Sequence, residues 1–194
     1  LVAENARRDN LQPEYELLDT GAFDDDRYWV VVVDYAKAGP DDILLKVTAH
    51  NRGPEAAELH LLPALWFRNT WSWREGGDRP QLRVSQGGLA ASHPTLGNWR
   101  LSFDGSPELI FTENDTNVTR LYGVPDEGRH YKDAFHELVV DGRRDAVNPG
   151  RTGTKAGGWY QARVPAGGSM VIRARLAPAE IEPGLGDFDR VVEL

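Results

Sequence analysis

Cysteine is absent from the 194 residues, and methionine occurs once. Without thiols there is no disulfide framework and no thiolate metal site, while the compartment stays open on that count. No apolar run approaches the roughly 20 residues that span a bilayer, so no membrane partner is expected. Positive charge is scarce too, with 22 Lys and Arg against 30 Asp and Glu, a net charge of −8. The densest basic spots are the pairs Arg7–Arg8 and Arg143–Arg144. Nucleic acid, which binds a basic face, is therefore not an expected partner. Internal repeats and low-complexity tracts are missing as well.

What is present is a glycine- and proline-rich succession of short apolar runs, with 20 Gly and 12 Pro. The length suits one domain and buries roughly 70% of the unfolded surface. Arg27–Tyr35 (RYWVVVVDY) is β-branched and aromatic on both alternating sets, which predicts a strand covered on both faces. Ile43–Ala49 predicts another strand, closed by a turn at Asn51–Pro54 with a left-handed Gly53. A strand broken near Pro63 is expected within Leu59–Trp73. Shorter strands are expected at Leu82–Val84, Trp99–Phe103, Leu109–Thr112 and Val118–Leu121. Tyr131–Val139 reads equally as helix or strand. Trp159–Val164 and Met170–Leu176 flank Pro165–Gly168, a hairpin signal. The expected fold is all-β, an antiparallel β-sandwich with few short helices.

Chemical motifs are weak. The carboxylates of Asp24–Asp26 and Asp41–Asp42 read as solvated loop and turn chemistry. None of the five histidines stands at metal-ligand spacing to another. No metal or other cofactor is therefore expected. The run Pro149–Lys155 has too few residues between its glycines for a phosphate loop. One stretch stands out: Leu59–Trp73 (LHLLPALWFRNTWSW) concentrates Trp66, Phe67, Arg68, Asn69, Trp71 and Trp73. Flat rings mixed with guanidinium and amide groups suit the face of a sugar or the rim of a domain interface. These six are the candidate carbohydrate or interface residues, and none is a candidate catalytic group.

The chain opens on Leu1 in a charged segment with no signal-like region after it. That predicts a piece excised from a longer, cytoplasmic protein. After Leu176, the stretch APAEIEPGLGDFD reads as an outgoing linker.

Five segments carry a resemblance to a known family: Glu4–Arg8, Pro13–Tyr28, Val33–Trp73, Thr112–Asn117 and Asp145–Gly157. They resemble the N-terminal region of large bacterial glucosidase-like proteins. Those are similar to family 63 of the glycoside hydrolases, the processing α-glucosidases (mannosyl-oligosaccharide glucosidases). The resemblance implies a β-sandwich of the supersandwich, galactose-mutarotase-like kind over residues 1–178. Residues 179–194 would then lead into an (α/α)6 toroid carrying the acid and base of an inverting enzyme. It also implies that no catalytic residue lies in this chain. The implied partners are that catalytic domain and an oligosaccharide substrate. Trp29-Val30-Val31 departs from the Phe-Asp-Val type of triplet common in those proteins. Two other readings remain. A stand-alone carbohydrate-binding module needs exposed, coplanar tryptophans. An aldose epimerase on the same kind of sandwich needs an acid and a base in one cleft, from His50, His136 and Glu137.

Overall fold

Turn residues cut the chain into strands, each with one apolar face that is buried by stacking sheets. The computed structural model describes residues 1–73, 78–125, 128–186 and 188–192. Its strands are β1 (Trp29–Gly39), β2 (Asp42–Asn51), β3 (Ala57–Leu61), β4 (Ala64–Trp66), β5 (Gln81–Ser85) and β6 (Gly88–His93), followed by β7 (Gly97–Phe103), β8 (Glu108–Thr112), β9 (Thr152–Gly153), β10 (Lys155–Val164) and β11 (Ser169–Pro178). Among the described residues, four short α-helices accompany them: α1 (Val2–Asn5), α2 (Val118–Tyr122), α3 (Ala134–Asp141) and α4 (Phe188–Val192). Seven strands form one antiparallel sheet in the order β1-β2-β11-β7-β6-β5-β9. In the four-stranded sheet, β10 pairs with β3, β4 and β8.

The chain divides into two compact units. One comprises Leu1–Val32, Thr48–Leu59 and Ala162–Val171; the other comprises Val33–Val47, His60–Gln161 and Ile172–Leu194. In the larger unit, period-two alternation aims one face of each strand inward. Leu82, Leu89, Ala91, Leu101, Phe103 and Ala174 of the first sheet meet Phe111 and Ala156 of the second. Two inner faces meeting over one apolar layer make this an antiparallel β-sandwich, as the sequence predicts. The opposite face of β8 and β10 is covered as well. Ile110 and Trp159 pack there with Phe135 and Leu138 of α3. The smaller unit is tied by Asn51, whose Nδ2 donates to the carbonyls of Glu55 (2.7 Å) and Val164 (3.1 Å).

Several expectations are corrected. Val118–Leu121 is helical, because the Asn117 side chain accepts the Arg120 N–H (2.9 Å) and Gly123 closes the turn at φ 67°. Those caps outweigh the β-branched composition. Tyr131–Val139 resolves as α3, closed by left-handed Gly142. Gly53 is not left-handed; the Asn51 side chain accepts its N–H at 2.9 Å and makes the turn instead. β1 is not covered on both faces, since Val31, Val32, Val33 and Tyr35 are exposed. It is an edge strand, at the end of the order of the seven-stranded sheet among the described residues. β6 went unforeseen because Gly87-Gly88 reads as a turn and GLAASH has little β-branched content. Asp42 is no turn residue but a buried carboxylate gripped by Arg175.

The segment expected to be a linker runs along β7 and β11. The Ala179 N–H donates to the Asn98 carbonyl (3.0 Å), and the Gly184 N–H donates to Ser102 Oγ (3.2 Å). Phe188 is buried, and the Arg173 guanidinium sits 5.6 Å from its ring. Asp187, Glu193 and Leu194 of that segment lie outside the described residues. No helix among the described residues is long and apolar enough to cross a membrane.

Tyr160 shows the sandwich acting on a titratable group. Its hydroxyl donates to the Asp104 carbonyl at 2.6 Å, and burial, aided by the Asp104 charge, raises its pKa to about 12. The ordinary tyrosine value is about 10, so the unfolded chain releases this proton first. The stability it contributes is complete below about pH 10 and is lost as pH rises toward 12. In an ultraviolet titration of the six tyrosines, one late-ionising step is expected. Tyr160→Phe should abolish that step; its persistence would assign it elsewhere.

Candidate functional site

The site grows from the strand break at Pro63. Beyond β4 the chain leaves the sheet, held at Phe67 by two backbone bonds. Its N–H donates to the Thr154 carbonyl (3.1 Å), and its carbonyl accepts from Asn114 Nδ2 (2.8 Å). Asn69 then works in two directions. Its Nδ2 donates to Asp115 Oδ1, and its Oδ1 accepts the Ser72 N–H at 3.2 Å. That second bond starts the single turn Trp71–Trp73. It leaves the Trp71 indole half-buried on the wall of a cleft of about 670 Å³.

The opposite wall follows β8. The Glu113 N–H donates to the His130 carbonyl at 2.7 Å, which joins the 113–116 and 128–131 segments. Glu113 Oε2 accepts from Thr154 Oγ1 (2.7 Å), the Thr154 N–H (3.1 Å) and Arg79 Nη2 (2.6 Å). The same Arg79 nitrogen lies 3.8 Å from Asp115 Oδ2, and its guanidinium is 5.7 Å from the Trp71 ring. His130 Nδ1 lies 2.8 Å from the Ala146 carbonyl. A carbonyl only accepts, so Nδ1 carries a proton and Nε2 is the ring's other polar atom. The result is a concave wall that includes one indole, two carboxylates, an amide, an imidazole and the guanidinium groups of Arg79 and Arg129.

Three donors converge on Glu113 Oε2 and hold that carboxylate in place. Among the described residues, no group of three or more His, Cys, Asp or Glu is placed to hold a metal ion. The arrangement suits recognition of a polar molecule by groups already held in position.

No protein-family model matches the chain. Over 210 residues the chain is 29% identical to the uncharacterized protein YMR196W of Saccharomyces cerevisiae, a match covering 89% of this chain and 19% of that protein. The chain thus spans about a fifth of the length of the curated relative it matches.

The six residues singled out from the sequence separate into three environments. Asn69 and Trp71 line the cleft. Phe67 packs half-buried on the sandwich core, its ring 5.3 Å from His93. Trp66 and Trp73 are 54% and 64% exposed, and Arg68 lies 5.2 Å from the Trp73 ring. Of the epimerase candidates, His50 lies on β2 within the smaller unit, and His136 and Glu137 sit on α3. Glu137 is taken by Arg143. Sequence reading missed Arg79, Glu113, Asp115, His130 and Thr154 as one constellation. A signal existed in Glu113 and Asp115, two residues apart just past a strand end and therefore able to face one side.

Proposed function

We propose that this chain is the noncatalytic β-sandwich part of a longer glycoside hydrolase of the family 63, α-glucosidase-like kind. It packs on the catalytic toroid and shapes one wall of the substrate cleft. The observation carrying this reading is a convergence. Segments far apart in sequence that bear the family resemblance, through Asn69 and Trp71, Glu113 and Asp115, and Thr154, meet around one cleft. The extent of the yeast relative beyond the matched fifth supports a larger architecture. The exposed Trp66, Arg68 and Trp73 supply the flat and charged surface of a docking rim. The exposure of the two tryptophans also favours a second reading, a stand-alone carbohydrate-binding module.

The test separates the chain from the toroid portion. The 194-residue chain alone is expected to leave α-glucosides uncleaved and to associate with the separately produced toroid portion. Replacing both Arg68 and Trp73 by alanine should weaken that association by about thirtyfold or more, since one arginine or tryptophan anchor carries about 2 kcal/mol and two anchors in contact do not add. Turnover by the chain alone, or association indifferent to both substitutions, would refute the proposal.

A further inference from the structure

We infer that the cleft between Trp71 and the Glu113–Asp115 segment is itself a binding site for one neutral, hydroxyl-rich ring, such as a pyranose unit. It rests on the carbohydrate reading above for the choice of sugar, and on geometry for the rest. The volume, about 670 Å³, falls within the range of small-molecule sites. The wall chemistry then discriminates among ligand classes.

An anionic ligand such as a phosphate meets Glu113 and Asp115, while Arg79 is already paired with Glu113 at 2.6 Å and Arg129, the second guanidinium of the lining, is also engaged. A cationic ligand meets Arg79 standing where a cation belongs, near the Trp71 ring and within 3.8 Å of Asp115. Either charge must draw a group away from a partner it already has. A hydroxyl needs no such exchange, because each O–H both donates and accepts. It can donate to the Asp115 carboxylate and accept from Arg79, leaving the pairing intact. The half-buried Trp71 indole, with Arg79 on one side at 5.7 Å, offers apolar surface for the C–H face of the ring, and the His130 imidazole lines the same cleft.

The walls are also preorganised, which lowers the ordering cost of binding. Asn69 is fixed at both ends of its amide, and Glu113 is fixed by Thr154, which is 1% exposed. Asp115 is 13% exposed at its side chain. A hydrogen bond there forms in partial shelter from water, where it counts for more.

Calorimetry and tryptophan fluorescence test the site on the 194-residue chain and on the longer protein carrying it. The probes are methyl α-glucoside, maltose and mannobiose, set beside inorganic phosphate and arginine. Neutral sugars are expected to bind in the millimolar range, and phosphate and arginine to give no signal. Trp71→Ala and Asp115→Asn should each weaken sugar binding by about tenfold, the loss of one good contact. Tyr35→Ala, at an exposed aromatic on edge strand β1, should leave binding unchanged. Asp115→Asn retains an oxygen for Asn69 to donate to, and an unaltered circular-dichroism melt separates lost binding from lost folding. The inference is overturned if a folded chain binds none of the sugars, or if arginine or phosphate binds in their place. It is equally overturned if Trp73→Ala removes a sugar signal that Asp115→Asn leaves intact, which would move binding to the exposed tryptophans. Absent sugar binding with toroid association intact removes only this inference. Absent association with sugar binding intact removes only the docking proposal.

Discussion

Arg175→Ala is expected to destabilise the fold by about 3–5 kcal/mol, the usual result of removing one partner from a buried ion pair. Arg175 Nε donates to Asp42 Oδ1 at 2.8 Å, and its Nη2 donates to Oδ2 at 2.6 Å, a two-pronged match of fork to carboxylate. The side chains are 15% and 10% exposed, so water cannot take over when one leaves. For a chain of this length the midpoint of thermal unfolding should fall by roughly 6–20 °C. Asp42→Ala should behave alike, because it strands the guanidinium. Replacing both residues together by leucine and methionine should recover most of the loss, since it removes the charges and the cavity at once. Thermal and urea unfolding of the three variants check this. A single variant within about 1 kcal/mol of the parent would show that the pair is solvated.

Gly88→Ala is the second substitution with a large expected effect, about 3 kcal/mol, at the upper end of overpacking costs. A Cβ built on Gly88 stands 2.0 Å from the Leu101 carbonyl oxygen and 3.2 Å from the Ser102 Cα. Those atoms are backbone of β7, paired with β6 in register Gly88↔Ser102 and Leu89↔Leu101. The Phe103 N–H, bonded to the Gly87 carbonyl at 3.1 Å, prevents the strands from parting locally. Relief therefore requires moving Leu101 and Phe103, both in the core between the sheets. Gly87→Ala is the informative comparison. Gly87 has open space around its Cβ direction but φ 72°, so its penalty is purely conformational, about 1–2 kcal/mol. Denaturant unfolding should rank Gly88→Ala well below Gly87→Ala in stability; the reverse order would place the strain in the turn.

The cleft and the buried pair share one trait that hid them from a linear reading. Asp42 and Arg175 are strands apart in sequence, and nothing around Asp41-Asp42 distinguishes a carboxylate aimed at solvent from one aimed at a guanidinium. Glu113, Arg79 and Thr154 are similarly dispersed, and Thr154 sits in a run whose glycines drew attention to phosphate binding and away from its hydroxyl. By contrast, Trp71 and Asn69 were legible, because aromatic and amide density within a few residues is a local property of the chain.

Local chemistry was enough to determine the alternating strands, the break at Pro63, the hairpin at Pro165–Gly168 and the sandwich class, because a period of two and proline's missing N–H act within a few residues. It was not enough for Val118–Tyr122, where one side-chain cap from Asn117 overrode β propensity. Nor did it reveal that β1 would lie at a sheet edge, with its valines exposed. Strand order, the burial of Asp42 and the meeting of Asn69, Arg79, Glu113, Asp115 and Thr154 were decided only by the tertiary structure. The reason is physical: a side chain's partner across two sheets is chosen by how the whole apolar set packs, and no short window of sequence contains that choice.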